Sequence, residues 1–228
     1  MNTTPIRELL ERHVEAFTAS AEFRALETGH ADYEGFLENV ARAHLKSPQL
    51  VAFLYALAPP TAAPTLLANL LEELGLGADG DRAHPALLED LLRAAGLGHR
   101  LAEIEARAAE DIRRILTDPL LYGTLRDVGL AALAEIVAFE FMLSRVAGRI
   151  ALALGRHRGL PARALEWFTH HSEVDVRHAE QGLTDLAAYV AYYGLKEDEA
   201  LAIVDVALRD NVFTRRYFGY PSPAGPGR

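Results

Sequence analysis

The sequence predicts an all-α fold, a bundle of about seven to nine helices, on three observations. Alanine and leucine dominate while β-branched residues are sparse, which favours helix over strand. Glycine and proline fall at helical distances, and nothing reads convincingly as a strand. Half of the 228 residues are apolar, enough for one sizeable core. A single domain over residues 1–218 is therefore expected, followed by a flexible tail over 219–228.

The elements follow in order. A first helix is expected from about Pro5 to Glu27, and a second from Ala31 to Ala58. The second is broken at Ser47-Pro48, because the residue before a proline disfavours helical backbone. Pro64 opens a helix that Gly75 ends, and Pro85 stands at the first position of one that stops near Gly96. Helices follow from His99 to Leu116 and from Pro119 to Leu154, with Gly155 and Gly159 marking a turn. Pro161 opens a helix lasting to Tyr193, closed by Gly194, and Lys196 to Phe218 form the last.

Composition excludes several functions. A net charge of −9 without basic runs argues against nucleic acid or an anionic membrane as partner. The chain has no cysteine, hence no disulfide, thiolate metal site or cysteine nucleophile. No signal peptide is evident, and the apolar run from Gly129 to Phe141 is interrupted by Glu135 and Glu140 and too short for a bilayer. A cytoplasmic protein is expected. Any tightly held metal must use His, Asp and Glu, which suits iron, manganese or zinc.

The stretch FTHHSEVDVRHAEQG, residues 168–182, carries the chemistry. At about 100° per residue, Asp175 lies roughly 40° and His178 roughly −20° from His171, so the three share one stripe a turn apart. His170 lies to the side without an acidic partner, and Glu173 and Glu180 face the other way, as solvated charges do. A single His–Asp pair at this spacing is an ordinary helix surface pair. His-x3-Asp-x2-His flanked by Trp167 and Tyr189 is more than that and shifts the balance towards metal.

Two further segments offer partners. In the helix after Pro119, Glu140 lines up with Leu133, Ile136, Val137, Ser144 and Ala147, and a carboxylate on an apolar face needs a partner or a metal. In the helix before Gly75, Glu73 shares a face with Leu66, Asn69 and Leu70, with Glu72 as the alternative if the register differs. His84, beside Pro85, is placed by a short loop to return next to Glu73. Glu73, His84, Glu140, His171, Asp175 and His178 give three carboxylates and three imidazoles, the balance of a non-haem diiron site. The Glu-x-x-His pairs of ferritin-like bundles are missing.

These motifs resemble the haem-oxygenase-like diiron oxidases and oxygenases, also described as iron-containing redox enzymes. Their last core helix carries His-x3-Asp-x2-His and a small residue, here His171, Asp175, His178 and Ala179. Their earlier Asn-Leu-x-x-Glu helix end, Gly-rich loop and His correspond to Asn69 through Glu73 and His84. Their remaining Glu, about thirty residues before the first signature His, corresponds to Glu140. The resemblance covers roughly residues 30 to 215. The spacing from 73 to 84 is on the long side for the family.

The resemblance implies a haem-oxygenase-like bundle of about seven core helices, often a homodimer, binding two Fe(II) per chain with O2 as co-substrate. It implies N-oxygenation, desaturation, decarboxylation or fragmentation of a small molecule such as an amino acid or fatty acid, with an external reductant where the chemistry needs one. Some members add an early carboxylate, for which Glu34 and Glu38 are candidates. Trp167, Tyr189 and Tyr192 are expected near the ligand face. The competing readings are a metal-free thiaminase-like or quinone-synthase-like enzyme of the same fold, and a non-catalytic iron-binding protein.

Overall fold

A computed structural model describes residues 2–77, 82–116 and 123–219. Among these the chain is all-α: α1 (Thr4–Thr18), α2 (Ala21–Thr28), α3 (Tyr33–His44), α4 (Ser47–Ala56), α5 (Ala63–Glu73), α6 (His84–Ala94), α7 (Leu101–Leu116), α8 (Leu125–Arg158), α9 (Glu166–Tyr192), α10 (Glu197–Leu208) and α11 (Val212–Phe218). No helix of the described residues is long and apolar enough to cross a membrane. The expected start at Pro119 and the tail from residue 220 onward lie outside the described residues.

Three expected boundaries differ, each for a local reason. The first helix is two, because the Ser20 hydroxyl caps α2 by accepting from the Phe23 amide at 3.1 Å. The last is also two. Asp210 and Asn211 take positive φ of 58° and 49°, and Asn211 caps α11 while its side-chain amide donates to the His13 carbonyl at 2.8 Å. Gly155 stays helical, and α8 runs on to Arg158 before Gly159 closes it at φ 65°.

α8 and α9 form the central pair, and the other helices wrap α8 so fully that its buried residues lie on every side. That explains its nearly continuous apolar sequence. The two helices pack tightly at Gly182, where a Cβ would meet Val137 Cγ2 at 2.5 Å. At one end Phe17, Phe23, Phe36, Phe213 and Tyr217 make a fully buried aromatic cluster that seats α11 against α1 and α3. The site lies where α5, α6, α8 and α9 meet.

Candidate metal centre

Glu73 is the last residue of α5 and His84 the first of α6, and the two side chains lie together. Glu73 Oε1 lies 3.1 Å from His84 Nδ1, and its other oxygen accepts from the Ser47 hydroxyl at 2.5 Å. The His84 contact is off the N–H direction, so neither ring nitrogen has a hydrogen bond of ordinary geometry. His171 completes the group, its ring 4.7 Å from that of His84. One ligand atom from each of Glu73, His84 and His171 lies within 4.8 Å of the others, and all three residues are buried. His171 Nδ1 donates to the Trp167 carbonyl at 2.6 Å, which leaves Nε2 as the nitrogen able to give a lone pair.

Asp175, buried at 1 % exposure, comes next along α9. Its Oδ2 has no partner, while Oδ1 lies 3.6 Å from His178 Nδ1. His178 turns its Nε2 to Glu72 at 2.9 Å, and Arg177 donates to the same carboxylate at 3.2 Å. Glu140 is half-buried on α8 and accepts from the Asn69 side-chain amide at 2.9 Å. Thus Glu73, His84 and His171 close into one cluster. Glu140, Asp175 and His178 lie beside it but more loosely, each turned partly to a neighbour.

Burial raises the Glu73 carboxyl, but the contact with His84 and the Ser47 hydrogen bond outweigh it and leave it below its ordinary value. Burial opposes charge on His84, and Glu73, with help from Asp175 and Glu72, reverses this and raises its pKa. Burial, with the nearby Glu73 charge, lifts Asp175 well above the carboxylate range. Burial also pushes Glu140 up to about 8, assisted by Asp175 and Glu73 and opposed by His178 and Asn69. Burial and the charge on His84 hold His171 well below the usual imidazole value, so it is neutral. Asp175 and Glu140, driven towards protonation beside the neutral His171, are groups whose charge a bound cation would favour.

Several expectations need correction. Glu34 and Glu38 are not at the centre: Glu34 faces Arg158 at 3.8 Å and Glu38 is bonded to Arg100. Tyr192 is 60 % exposed, whereas Trp167 and Tyr189 are buried as expected. His170 is not remote, since its ring packs edge-on against that of His84 at 5.0 Å. Sequence reasoning missed the supporting shell, namely Ser47, the role of Asn69, and His44, whose ring lies 4.9 Å from Trp167 and whose Nε2 meets the Tyr217 hydroxyl at 2.8 Å. These contacts come from helices distant in sequence and leave no spacing signal.

A cavity of about 210 Å3 opens beside Glu140 and His178, walled by Leu133, Ile136 and Val137 of α8 and floored by Gly182 and Asp185 of α9. It borders the candidate metal ligands and, below the roughly 300 Å3 of drug-sized pockets, has room only for a small ligand.

The chain finds no match among curated proteins. The sequence profile described as iron-containing redox enzyme matches residues 34–209, which include all six candidate ligands and most of the bundle. The all-α, haem-oxygenase-like architecture agrees with that match. With more than half of its 228 residues matched, the chain belongs to the iron-containing redox enzyme family.

Proposed function

We propose that this protein is a non-haem diiron oxidase or oxygenase that uses O2 to oxidise a small metabolite held in the cavity beside Glu140 and His178. The observation that carries the reading is the buried group Glu73, His84 and His171, within 4.8 Å, beside the partnerless Oδ2 of Asp175 and Nε2 of His84. Buried polar atoms without partners are rare and call for a ligand. In this reading Glu73, His84 and His171 hold one Fe(II), and Glu140, Asp175 and His178 hold the second.

When bound, the irons would supply the electrons that reduce O2. The chain's own residues do the rest. The Trp167 carbonyl fixes the His171 tautomer, and Ser47 and Asn69 orient Glu73 and Glu140. Leu133, Ile136 and Val137 keep water from the reacting groups. Glu72, paired with His178, must let go before that imidazole turns inward. A homodimer and an external reductant belong to the same reading and rest on the family resemblance, and a cytoplasmic location goes with it as an expectation from the sequence.

The test is anaerobic titration of the metal-free protein with Fe(II), followed by oxygen-electrode measurement. Two irons per chain, with O2 consumed on mixing and both lost in His171→Ala, support the proposal. An absence of stoichiometric binding, with His171→Ala and Glu140→Ala like wild type, overturns it in favour of a metal-free enzyme. Iron binding with no O2 consumption in the presence of reductant and candidate substrates would indicate an iron store.

A further inference from the structure

Asp185 is a buried carboxylate, 4 % exposed, that borders the cavity yet stands outside the candidate metal ligands. Among the described residues its partners are neutral. It accepts from the Gln181 side-chain amide at 3.2 Å, and it meets the Thr65 hydroxyl at 3.0 and 3.1 Å. Thr65 has one proton to give and also lies 2.8 Å from the Ala62 carbonyl, so it serves Asp185 at best in part. Half-buried acids elsewhere in the bundle are treated differently. Asp111 is bonded to Arg42, and Glu135 to Arg216 at 2.6 Å. A buried carboxylate without a cation is costly, and here the open side of the group is the cavity. Burial also lifts its pKa, as for a group short of positive charge.

Its position relative to the centre is fixed by α9. Asp185 follows His178 by seven residues, a rotation of about −20°, so the two share a face with a rise of about 10 Å between them. Gly182 lies between and projects no side chain into the gap. Resting on the functional reading above, we propose that the cavity selects aliphatic substrates bearing a primary ammonium group, with Asp185 as the specificity-determining residue that binds it. The ammonium would sit on Asp185 and the bond to be oxidised about 10 Å away, beside Glu140 and His178.

The experiment is isothermal titration of the full-length protein, metal-free, with three probes of equal chain length: hexylammonium, hexan-1-ol and hexanoate. Hexylammonium is expected to bind about ten-fold more tightly than the alcohol, since a charge-assisted hydrogen bond replaces a neutral one. Hexanoate should bind worst. Asp185→Asn, which keeps shape and removes charge, should bring amine and alcohol to equal affinity, and Asp185→Glu should restore part of the preference. The proposal is overturned if hexylammonium fails to bind at millimolar concentration, if alcohol or carboxylate binds as well as the amine, or if Asp185→Asn keeps the preference. The measurement needs no iron, so a failed diiron reading would appear in the Fe(II) titration while the amine preference stood.

Discussion

Glu73 Oε1 and His84 Nδ1 lie 3.1 Å apart, joining the last residue of α5 to the first of α6 inside the bundle. Removing one partner of a buried charged pair strands the other. His84→Ala is expected to destabilise the metal-free protein by about 3–5 kcal/mol in denaturant unfolding. It should also remove one Fe(II) per chain from the titration. An unchanged midpoint would mean that the contact carries no charge.

Glu72 and Glu73 are expected to separate cleanly. Glu73→Gln weakens the buried cluster and should cost at least one iron per chain. Glu72→Gln removes only the carboxylate that holds His178 at 2.9 Å, so the stoichiometry should stay at the wild-type value. Equal losses in the two variants, read by metal analysis after dialysis, would show Glu72 to be a ligand as well.

The pH dependence of the metal-free protein has a definite sign. Glu140 rises from 4.5 unfolded to about 8 folded, so its contribution is complete below pH 4.5 and is lost as pH climbs through 8. Asp175 and His84, also raised, act in the same direction. His171 and His44 are lowered, the latter to about 4, and their contributions are lost only as pH falls below 6.5. Between pH 6.5 and 8 the first group acts alone. The Tm should fall across that window, less steeply in Glu140→Gln. Fe(II) should reverse the trend, because the metal takes the place of the protons. A Tm that rises from pH 6.5 to 8 in the absence of metal would contradict the assignment.

Gly182→Ala tests a tight contact of the central pair. Alanine gains up to about 1 kcal/mol of helix propensity. However, its Cβ would meet Val137 Cγ2 at 2.5 Å and Cγ1 at 3.2 Å, on a side chain stiff about χ1. The net expected effect is a loss of about 1–3 kcal/mol, with Val137 pushed towards the cavity. A stabilised variant in guanidinium unfolding would show that the helices part without strain.

Legibility from sequence tracked the range of the interaction that decides each feature. Helices opened by Pro85 or closed by Gly75 and Gly194 were readable, because the punctuation is local. The alignment of His171, Asp175 and His178 was readable from helical rotation alone, and the structure buries that face for two of the three. Glu72 against Glu73 was not decidable by spacing, since both lie within one turn of the helix end. Only the burial of Glu73 and its contact with His84 distinguish it. Glu34 and Glu38 misled for the opposite reason: their arginine partners, Arg158 and Arg100, are far along the chain. Asp185 shares the His178 stripe, yet nothing short of the fold shows that its hydrogen-bond partners among the described residues, Thr65 and Gln181, are neutral.

The placement of Glu73 and His84 at the two ends of one connection has a consequence for how such centres diverge. Both are held by their own helices, and for a connection between two fixed ends doubling the length costs only about 0.6 kcal/mol of closure entropy. Insertions there should leave the pair in register, whereas a single insertion between His171 and His178 would rotate one imidazole by about 100° off the shared face. A pattern that describes these centres must therefore leave the first gap elastic and hold the second rigid.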